Sequence, residues 1–341
     1  MSSTPSAPVH ALARSGVITP RPAIVALGEP MVEFNQTRAN DANYLQGFGG
    51  DTSNAIIACA RQGAPCAYLT RIGDDAFGHK LLGLWQAESV GTQGVQTDAA
   101  AHTAVYFVTH SEAGHAFSYL RSGSAASRMT PDFLPRALIQ GAQFLHISGI
   151  SQAISASACD TVFAAIGIAR AAGVKVAFDT NLRLRLWPIE QARAVMTRTI
   201  ALTDYLLPSL EDMQAIAQCD APAAILDWCF AHGARNVVLK RGAQGCMVAT
   251  REQRKVVPGH HTAVPGHRVN AVDATGAGDC FDGALLARLY AGDDLVTAAR
   301  YANAAAALTT TGFGAVAPLP TRAQVEAFLA AENRSPAAAK A

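Results

Sequence analysis

The chain has 341 residues, of which 27 are Lys or Arg and 26 are Asp or Glu, so its net charge at pH 7 is +1. Half of the residues are hydrophobic and 16% are charged, without any basic or acidic block. This balance argues against nucleic acid or a membrane surface as the main partner, and the length allows one large domain with a substantial core.

The same composition indicates a cellular compartment. No apolar run approaches the ~18 residues of a membrane span, and the first 20 residues contain no apolar stretch of signal-peptide length. Seven cysteines occur without a Cys-x-x-Cys pair, which is typical of buried free thiols in a reducing environment. We therefore expect a cytoplasmic protein.

Between two terminal segments rich in Ser, Pro and Ala, strand-like and helix-like runs alternate. The terminal segments predict a disordered arm over 1–21 and a disordered tail over 331–341. Short apolar runs predict strands at 23–29, 66–73, 144–149, 174–181, 204–209, 236–242 and 245–250. Apolar spacing predicts helices at about 52–62, 76–89, 156–171, 189–200, 211–218, 222–232, 279–290 and 294–311. Buried strands that alternate with helices indicate an α/β fold with a parallel sheet covered on both faces.

Two segments break this alternation, at about 31–48 and 102–122. Both have the pattern of strands without an intervening helix, and the second reads as a hairpin closed by SEAG. Antiparallel strands inserted into a parallel α/β domain can form a small second sheet. We expect this sheet to act as a lid over the carboxyl edge of the main sheet, where open α/β folds bind ligands.

The stretch TGAGD at 275–279 has the features of an anion site. Gly276 and Gly278 can adopt backbone angles closed to other residues, so their N–H groups and that of Ala277 can converge on one point. The helix predicted from Asp279 adds unpaired N–H groups and the positive end of its dipole. Such a cradle suits a transferring phosphoryl group, and Asp279 could accept the proton of an attacking hydroxyl. Taken alone, the pattern is equally compatible with Asp279 as a helix N-cap.

Three stretches in register resemble one family of enzymes. AVDATGAGDCFDGAL (271–285) resembles the C-terminal signature of the ribokinase-like (PfkB) sugar kinases, and FGGDTSNAIIACARQGA (48–64) resembles their N-terminal sugar-binding segment. TRIGDDAFG (70–78) matches a third landmark, and the resemblance covers about 22–320. It implies a doubly wound α/β sandwich with a β-sheet lid, one kinase domain over 22–330, and phosphoryl transfer from ATP to a sugar.

Four further stretches resemble the 2-keto-3-deoxygluconate kinase branch of that family. They are GFGGDTSN (47–54), YLRSGSAAS (119–127), LHISGISQAIS (145–155) and FDTNLRLRLW (178–187). The resemblance implies that the terminal hydroxyl of 2-keto-3-deoxygluconate is phosphorylated to give the 6-phosphate.

The resemblance also assigns the sugar-binding residues. Arg121 and Arg183 match positions at the acid end of the substrate, and a guanidinium suits a carboxylate because it offers a planar fork of donors. Tyr106 and Tyr119 match positions that contact the body of the sugar. Arg185, by contrast, is expected to form a surface salt bridge or to pack on Trp187.

The segment that contains Gly49, Gly50, Asp51 and Asn54 is expected to bind sugar hydroxyls, because the glycines allow close approach and the polar side chains can donate and accept hydrogen bonds. The alternative is a strand-to-helix turn in which Asp51 or Thr52 is the N-cap. The two interpretations are compatible.

On the nucleotide side, LKRGAQG (239–245) resembles the family's turn near the ATP phosphates. The resemblance implies cofactor-binding roles for Lys240, Gly242, Gly245, Thr275, Gly276, Gly278 and Asn303. For Lys240 a simple turn between strands is nearly as good an explanation.

The resemblance implies ATP with Mg²⁺, and it leaves a monovalent-cation requirement open. The family's Asn-x-x-Glu motif is replaced here by the stretch from Ser209 to Asp212, so the residues that support Mg²⁺ are unknown.

Other sugars and another class of function stay open. Fructose or 2-keto-3-deoxygalactonate could replace the predicted sugar acid, and a sugar sensor without catalysis could share the fold. Exposed lid strands often pair between subunits, so we expect a homodimer or a higher homo-oligomer.

Overall fold

The computed structural model describes residues 21–39, 41–111 and 114–334, and within these ranges no helix is long and apolar enough to cross a membrane. The strands are β1 (Ile24–Leu27), β2 (Met31–Gln36), β3 (Tyr44–Gly49), β4 (Cys66–Gly73), β5 (Gly91–Asp98), β6 (Val105–Ser111), β7 (Gly114–Leu120), β8 (Phe144–Ser148), β9 (Lys175–Asp179), β10 (Tyr205–Leu206), β11 (Asn236–Lys240), β12 (Cys246–Thr250) and β13 (Thr262–Val264). The α-helices are α1 (Asp51–Arg61), α2 (Ala76–Ala87), α3 (Arg136–Gln140), α4 (Gly149–Ala153), α5 (Ala156–Ala171), α6 (Ile189–Ile200), α7 (Leu210–Ala217), α8 (Pro222–Ala231), α9 (Arg251–Val256), α10 (Ala277–Tyr290), α11 (Leu295–Thr309) and α12 (Arg322–Arg334).

Nine strands form a central sheet in the order β13-β12-β11-β10-β9-β8-β1-β4-β5. Neighbouring strands from β11 to β5 in this order run parallel, whereas β12 and β13 are antiparallel additions at one edge. Successive residues of β1 point to opposite faces of the sheet, and Ile24 packs in one hydrophobic cluster while Val25 packs in the other. The sheet is therefore covered on both faces. The predicted doubly wound three-layer α/β fold is confirmed.

A separate four-stranded sheet has the order β3-β2-β6-β7, which confirms the predicted small sheet from the two irregular segments. Its strands β2 and β6 are parallel, and the outer pairs are antiparallel. The first segment extends one residue further than predicted, to Gly49. Residues 112 and 113 of the predicted SEAG turn lie outside the described residues.

Several elements were missed by the sequence prediction. Strand β5 has the sequence GTQGVQTD, which is too polar to register as an apolar run, and β13 is only three residues long. Helix α12 continues to Arg334, so residues 331–334 of the predicted tail are helical. The helix is held because Val325 is buried in the core and Glu332 Oε2 lies 2.6 Å from His267 Nδ1. Except for Arg21, the predicted arm lies outside the described residues.

Helices α1 and α10 pack backbone against backbone at Gly283. A Cβ atom on Gly283 would collide with the carbonyl oxygen of Ala55 and come within 2.7 Å of the Ala58 Cβ. The Cys59 thiol also donates a hydrogen bond of 3.2 Å to the Gly283 carbonyl. This close approach matters for function because α1 and α10 begin with the two motifs that predicted the site.

The close approach of α1 and α10 predicts opposite effects for two helical Gly→Ala changes. Gly283→Ala should destabilise the protein by about 1–3 kcal/mol, because the added methyl group overpacks the interface. Gly167→Ala is the matched control in α5, where a Cβ meets no atom within 4 Å. That change should stabilise by about 0.5–1 kcal/mol through helix propensity. Urea unfolding midpoints measure both, and equal shifts would contradict the packing argument.

Candidate active site

A cavity of about 780 Å³ lies between the small sheet and the carboxyl ends of the central strands. The small sheet contributes Tyr106 and Tyr119, and the central sheet contributes Asp179 and Lys240. A second cavity, of about 710 Å³, is lined by residues that include Gly245 and Asn303. The two cavities share Lys240, Gly242, Ala274 and Gly278 as a common wall.

The predicted anion cradle lies in this wall. Gly276 adopts a φ of 75° as the N-cap of α10, and a Cβ there would come within 2.9 Å of the Ala315 carbonyl oxygen. Gly276 lines the first cavity, Ala277 the second, and Gly278 both. The first turn of α10, with the N–H groups that a helix start leaves without intrahelical partners, therefore faces both cavities.

Asp273 braces the cradle from outside. Its Oδ1 accepts hydrogen bonds from Thr275 N (2.9 Å) and Thr275 Oγ1 (2.6 Å), and its Oδ2 accepts one from Gly314 N at 2.9 Å. Thr275, predicted to bind the cofactor, lines the first cavity with its hydroxyl engaged by Asp273.

Asp279 is not the helix cap. Gly276 holds the N-cap position without a side-chain hydrogen bond, and Asp279 lies in the first turn of α10 with its Oδ2 accepting a bond of 2.8 Å from Asn54 Nδ2. Burial raises the pKa of Asp279 to about 7, assisted by the nearby Asp51 carboxylate. A carboxylate with a pKa near neutrality on the rim of an anion cradle is suited to accept a proton from a hydroxyl.

Three of the four residues of the predicted sugar-binding segment line the first cavity, and Gly49 does not. Gly50 has a φ of 103° and is the N-cap of α1, so neither Asp51 nor Thr52 fills that position. The Asp51 carboxylate is buried and accepts hydrogen bonds from Ser148 Oγ and from Asn181 Nδ2 at 3.1 Å. Both Gly50 and Asp51 line the first cavity, as does Asn54.

Gly49 does not line the first cavity but makes room for the neighbouring Tyr106. A Cβ on Gly49 would lie 2.6 Å from Tyr106 Oη, so only glycine lets the ring pack against β3. The Tyr106 hydroxyl donates a 2.5 Å hydrogen bond to the buried Glu33 carboxylate. Tyr106 stacks on Tyr119 with ring centroids 5.8 Å apart, and both tyrosines line the first cavity.

Three arginines line the first cavity, and each has a different partner. Arg121 forms an ion pair with Glu29, a buried residue that the sequence analysis missed. Arg183 donates to the Leu182 carbonyl at 2.9 Å. Arg185, expected in a salt bridge or against Trp187, instead donates to the Phe117 carbonyl of β7 at 3.1 Å and lines the cavity. That expectation was wrong because the residue lies opposite the small sheet, which local sequence does not show.

Of the seven predicted nucleotide-binding residues, Thr275 and Gly276 line only the first cavity. The second cavity is lined by Lys240, Gly242, Gly245, Gly278 and Asn303, and Asn303 Nδ2 donates to the carbonyls of Val264 and Pro265 at 3.3 and 3.2 Å. Lys240 lines both cavities, but its ammonium group is held by two carboxylates. Nζ lies 3.0 Å from Asp179 Oδ1 and 3.0 Å from Asp282 Oδ1.

Asp282 was missed by the sequence analysis, although it left a signal. It is an acid one helical turn after Asp279 in the apolar run GDCFDGALL, and its side chain is fully buried. A buried acid among apolar helix residues requires a partner, and Lys240 supplies it.

The stretch that replaces the Asn-x-x-Glu motif forms the start of helix α7. Ser209 caps α7 by accepting from Asp212 N, and Asp212 Oδ2 accepts from Thr180 Oγ1 at 2.8 Å and Leu182 N at 3.1 Å. Within the described ranges, no group of three or more His, Cys, Asp or Glu side chains could hold a metal ion. Mg²⁺ that arrives with nucleotide phosphates commonly needs only one or two protein carboxylates, and Glu211 and Asp212 both line the first cavity.

An anion cradle at the boundary of two cavities, with a buried carboxylate beside it in the first cavity, is an arrangement suited to phosphoryl transfer. The pfkB family carbohydrate kinase model matches residues 22–322, and the chain therefore belongs to the pfkB family of carbohydrate kinases.

Named relatives agree with this family. Fructokinase-1 of Zea mays is 33% identical over 323 residues, which cover 89% of this chain and 97% of that protein. Among solved structures, fructokinase from Vibrio cholerae O395 with fructose, ADP and a calcium ion has a TM-score of 0.80 and 30% identity, covering 90% of this chain and 99% of that one. Fructokinase with bound ATP from Xylella fastidiosa has a TM-score of 0.83 and 25% identity, covering 91% and 99% of the respective chains.

The raised pKa of Asp279 predicts that its buried carboxylate destabilises the protein at alkaline pH. The folded state holds the proton up to about pH 7, whereas an unfolded aspartate releases it near 3.8, so stability is lost as the pH rises between these values. Asp279→Asn should therefore raise the Tm by a few degrees at pH 8.5 and by much less at pH 5. Thermal scans of this variant and of the exposed control Asp160→Asn measure the difference, and an equal gain at both pH values would refute it.

Proposed function

We propose that this protein transfers the γ-phosphoryl group of ATP to the terminal primary hydroxyl of a six-carbon 2-keto sugar, with D-fructose as the first candidate. The observation that carries the phosphoryl transfer is the Asp279 carboxylate, which lines the first cavity from the first turn of α10, directly after Gly278 in the wall shared by the two cavities. The choice of fructose is supported by relatives named fructokinase over most of the chain.

The residues divide the chemistry between them. The sugar hydroxyl attacks the γ-phosphorus, a new O–P bond forms, the bond to the ADP oxygen breaks, and the hydroxyl proton passes to Asp279. The first-turn amides of α10 stabilise the negative charge on the transferring group. Asn54 keeps the carboxylate aimed at the cavity through its 2.8 Å hydrogen bond. Mg²⁺ bound with ATP would neutralise part of the phosphate charge, and Glu211 or Asp212 could support it.

A second candidate is 2-keto-3-deoxygluconate, which resembles fructose in its 2-keto group and terminal hydroxyl but carries a carboxylate at the other end. Its support is the cationic lining of the first cavity, where Arg121, Arg183 and Arg185 come together. A carboxylate in that region would be favoured by charge-assisted hydrogen bonds, typically worth ~1.5–3 kcal/mol each.

A coupled ATP assay against fructose, 2-keto-3-deoxygluconate, 2-keto-3-deoxygalactonate and gluconate tests the proposal. Asp279→Asn should lower kcat on the preferred sugar by at least about 100-fold, because the proton acceptor is lost. Sugar and ATP dissociation constants should stay within about threefold, as the amide keeps the shape of the site. Turnover above a tenth of the wild-type value would exclude Asp279 as the general base, and no turnover of any sugar by the wild type would favour a sugar sensor.

Arg183→Ala separates the two candidate sugars. If the sugar acid is the substrate, the loss of a charge-assisted hydrogen bond should raise its KM roughly 10- to 150-fold. The KM for fructose should hardly change, because fructose has no carboxylate. Arg170→Ala is the matched control, since Arg170 also donates to a backbone carbonyl but lies on the surface outside both cavities. An unchanged KM for the sugar acid would exclude the carboxylate role.

We also propose a cytoplasmic location and a homodimer. All seven cysteines are free thiols, which suits a reducing compartment. Exposed Leu45 on β3 and Leu120 on β7 lie on the two outer strands of the small sheet, which are available to pair with a second copy. Light scattering in solution gives the oligomeric state directly.

A further inference from the structure

A buried ionic bridge ties three elements together beneath the cradle. It consists of Asp179 at the end of β9, Lys240 at the end of β11, and Asp282 in α10. Lys240 Nζ lies 3.0 Å from Asp179 Oδ1, and 3.0 and 3.1 Å from the two carboxylate oxygens of Asp282. The exposed fractions of the three side chains are 7%, 13% and 0%, respectively.

Stability alone does not account for this bridge. Ions lose their hydration when they are buried, and well-packed apolar side chains of similar volume usually serve a core equally well or better. Around Asp282 such apolar packing is at hand, because Phe281, Leu285 and Leu286 of the same helix are buried in the core. Burial raises the pKa of Asp282 well above its ordinary value even though Lys240 opposes the shift, so keeping this carboxylate ionised adds to the cost.

The place of the bridge suggests a catalytic purpose. Lys240 is the one Lys or Arg in the described ranges that lines both cavities. Its Nζ lies 3.8 Å from the position that a Cβ on Gly278 would occupy, so the ammonium is next to the cradle. A phosphoryl group that passes between the cavities must pass this wall.

We propose that Asp282 is a positioning residue which, together with Asp179, fixes the Lys240 ammonium as a permanent positive charge beside the phosphoryl path. The inference rests on the proposed phosphoryl transfer. It assigns Lys240 a fixed electrostatic role, where the family resemblance implied direct binding of the cofactor.

The same charge acts on the proton acceptor. Asp279 interacts with Asp51 and Asn54 from α1 and with Asp282 from its own helix. It also interacts with Asp179 from β9, Tyr106 from β6 and Lys240 from β11. Burial raises the pKa of Asp279, Asp51 and Asp179 raise it further, and Lys240 lowers it. A lysine fixed by Asp282 thus favours the ionised carboxylate that accepts the proton.

Two single variants test the bridge. Asp282→Asn keeps the side-chain shape but loosens Lys240, and kcat should fall roughly 10- to 100-fold with KM values for sugar and ATP within threefold. Lys240→Met should lower kcat at least as far. It should also raise the pKa of Asp279, read by NMR of labelled aspartate without any substrate, by about one unit or more. An unchanged Asp279 pKa in Lys240→Met, or full activity of Asp282→Asn, would overturn the proposal.

A double variant separates catalysis from folding. Lys240→Met/Asp282→Leu removes the ammonium and one buried carboxylate together, so it should unfold at a higher temperature than either single variant while kcat stays low. Recovery of kcat to within threefold of wild type would show that the bridge is only a structural tie. Glu88→Gln is the control, because it breaks the partly buried ion pair with Arg61 far from the cavities and should leave kcat unchanged.

The proposed function and the bridge fail in different ways. A wild-type protein that phosphorylates no sugar in the panel contradicts the function, while the Asp279 pKa still decides the bridge. An active wild type with insensitive variants contradicts the bridge alone.

Discussion

The backbone approach of α1 and α10 at Gly283 is the constraint on which the site depends. Helix α1 begins directly after Gly50 with Asp51 and carries Asn54, whereas α10 begins with the cradle and carries Asp279. Because no side chain separates the helices at Gly283, Asn54 can reach Asp279 with a 2.8 Å hydrogen bond across 225 residues of sequence. The GGDTSN and TGAGD segments, which are far apart in the chain, are thus brought to one cavity by a packing contact.

The charges of this site oppose its stability. Asp51, Asp179, Asp279 and Asp282 lie around one another with Lys240 as the cation bonded to two of them. Such an acid excess is expensive in a buried place, and it raises the pKa of Asp279 towards the working pH of an enzyme. The cost in stability and the usefulness of the base therefore have one physical origin, which is the desolvation of neighbouring carboxylates.

Features that depend on residues close together in the chain could be predicted from the sequence, whereas contacts between distant residues could not. The cradle, Asp279 and the two-sheet architecture depend on local patterns: glycine spacing at 276–278, the break in helix–strand alternation, and apolar runs. The partners of the charged side chains do not follow from local patterns, because Glu29 pairs with Arg121 across 92 residues and Lys240 pairs with Asp282 across 42. Arg185 was misjudged for the same reason, because its partner carbonyl at Phe117 belongs to the other sheet. Polar β5 was missed because an edge strand needs little apolar sequence.

The fructokinase relatives and the cavity arginines bear on different parts of the substrate. Under the proposed function, fructose and 2-keto-3-deoxygluconate would present the same terminal hydroxyl to Asp279, so the cradle, Asp279 and the bridge would not distinguish them. The difference lies at the opposite end of the sugar. There the buried Glu29 already neutralises Arg121, which weakens its attraction for a second carboxylate. Arg183 and Arg185 donate to the backbone carbonyls of Leu182 and Phe117 instead of pairing with a buried acid, so under the proposed function these two guanidinium groups would distinguish a carboxylate from a hydroxymethyl group.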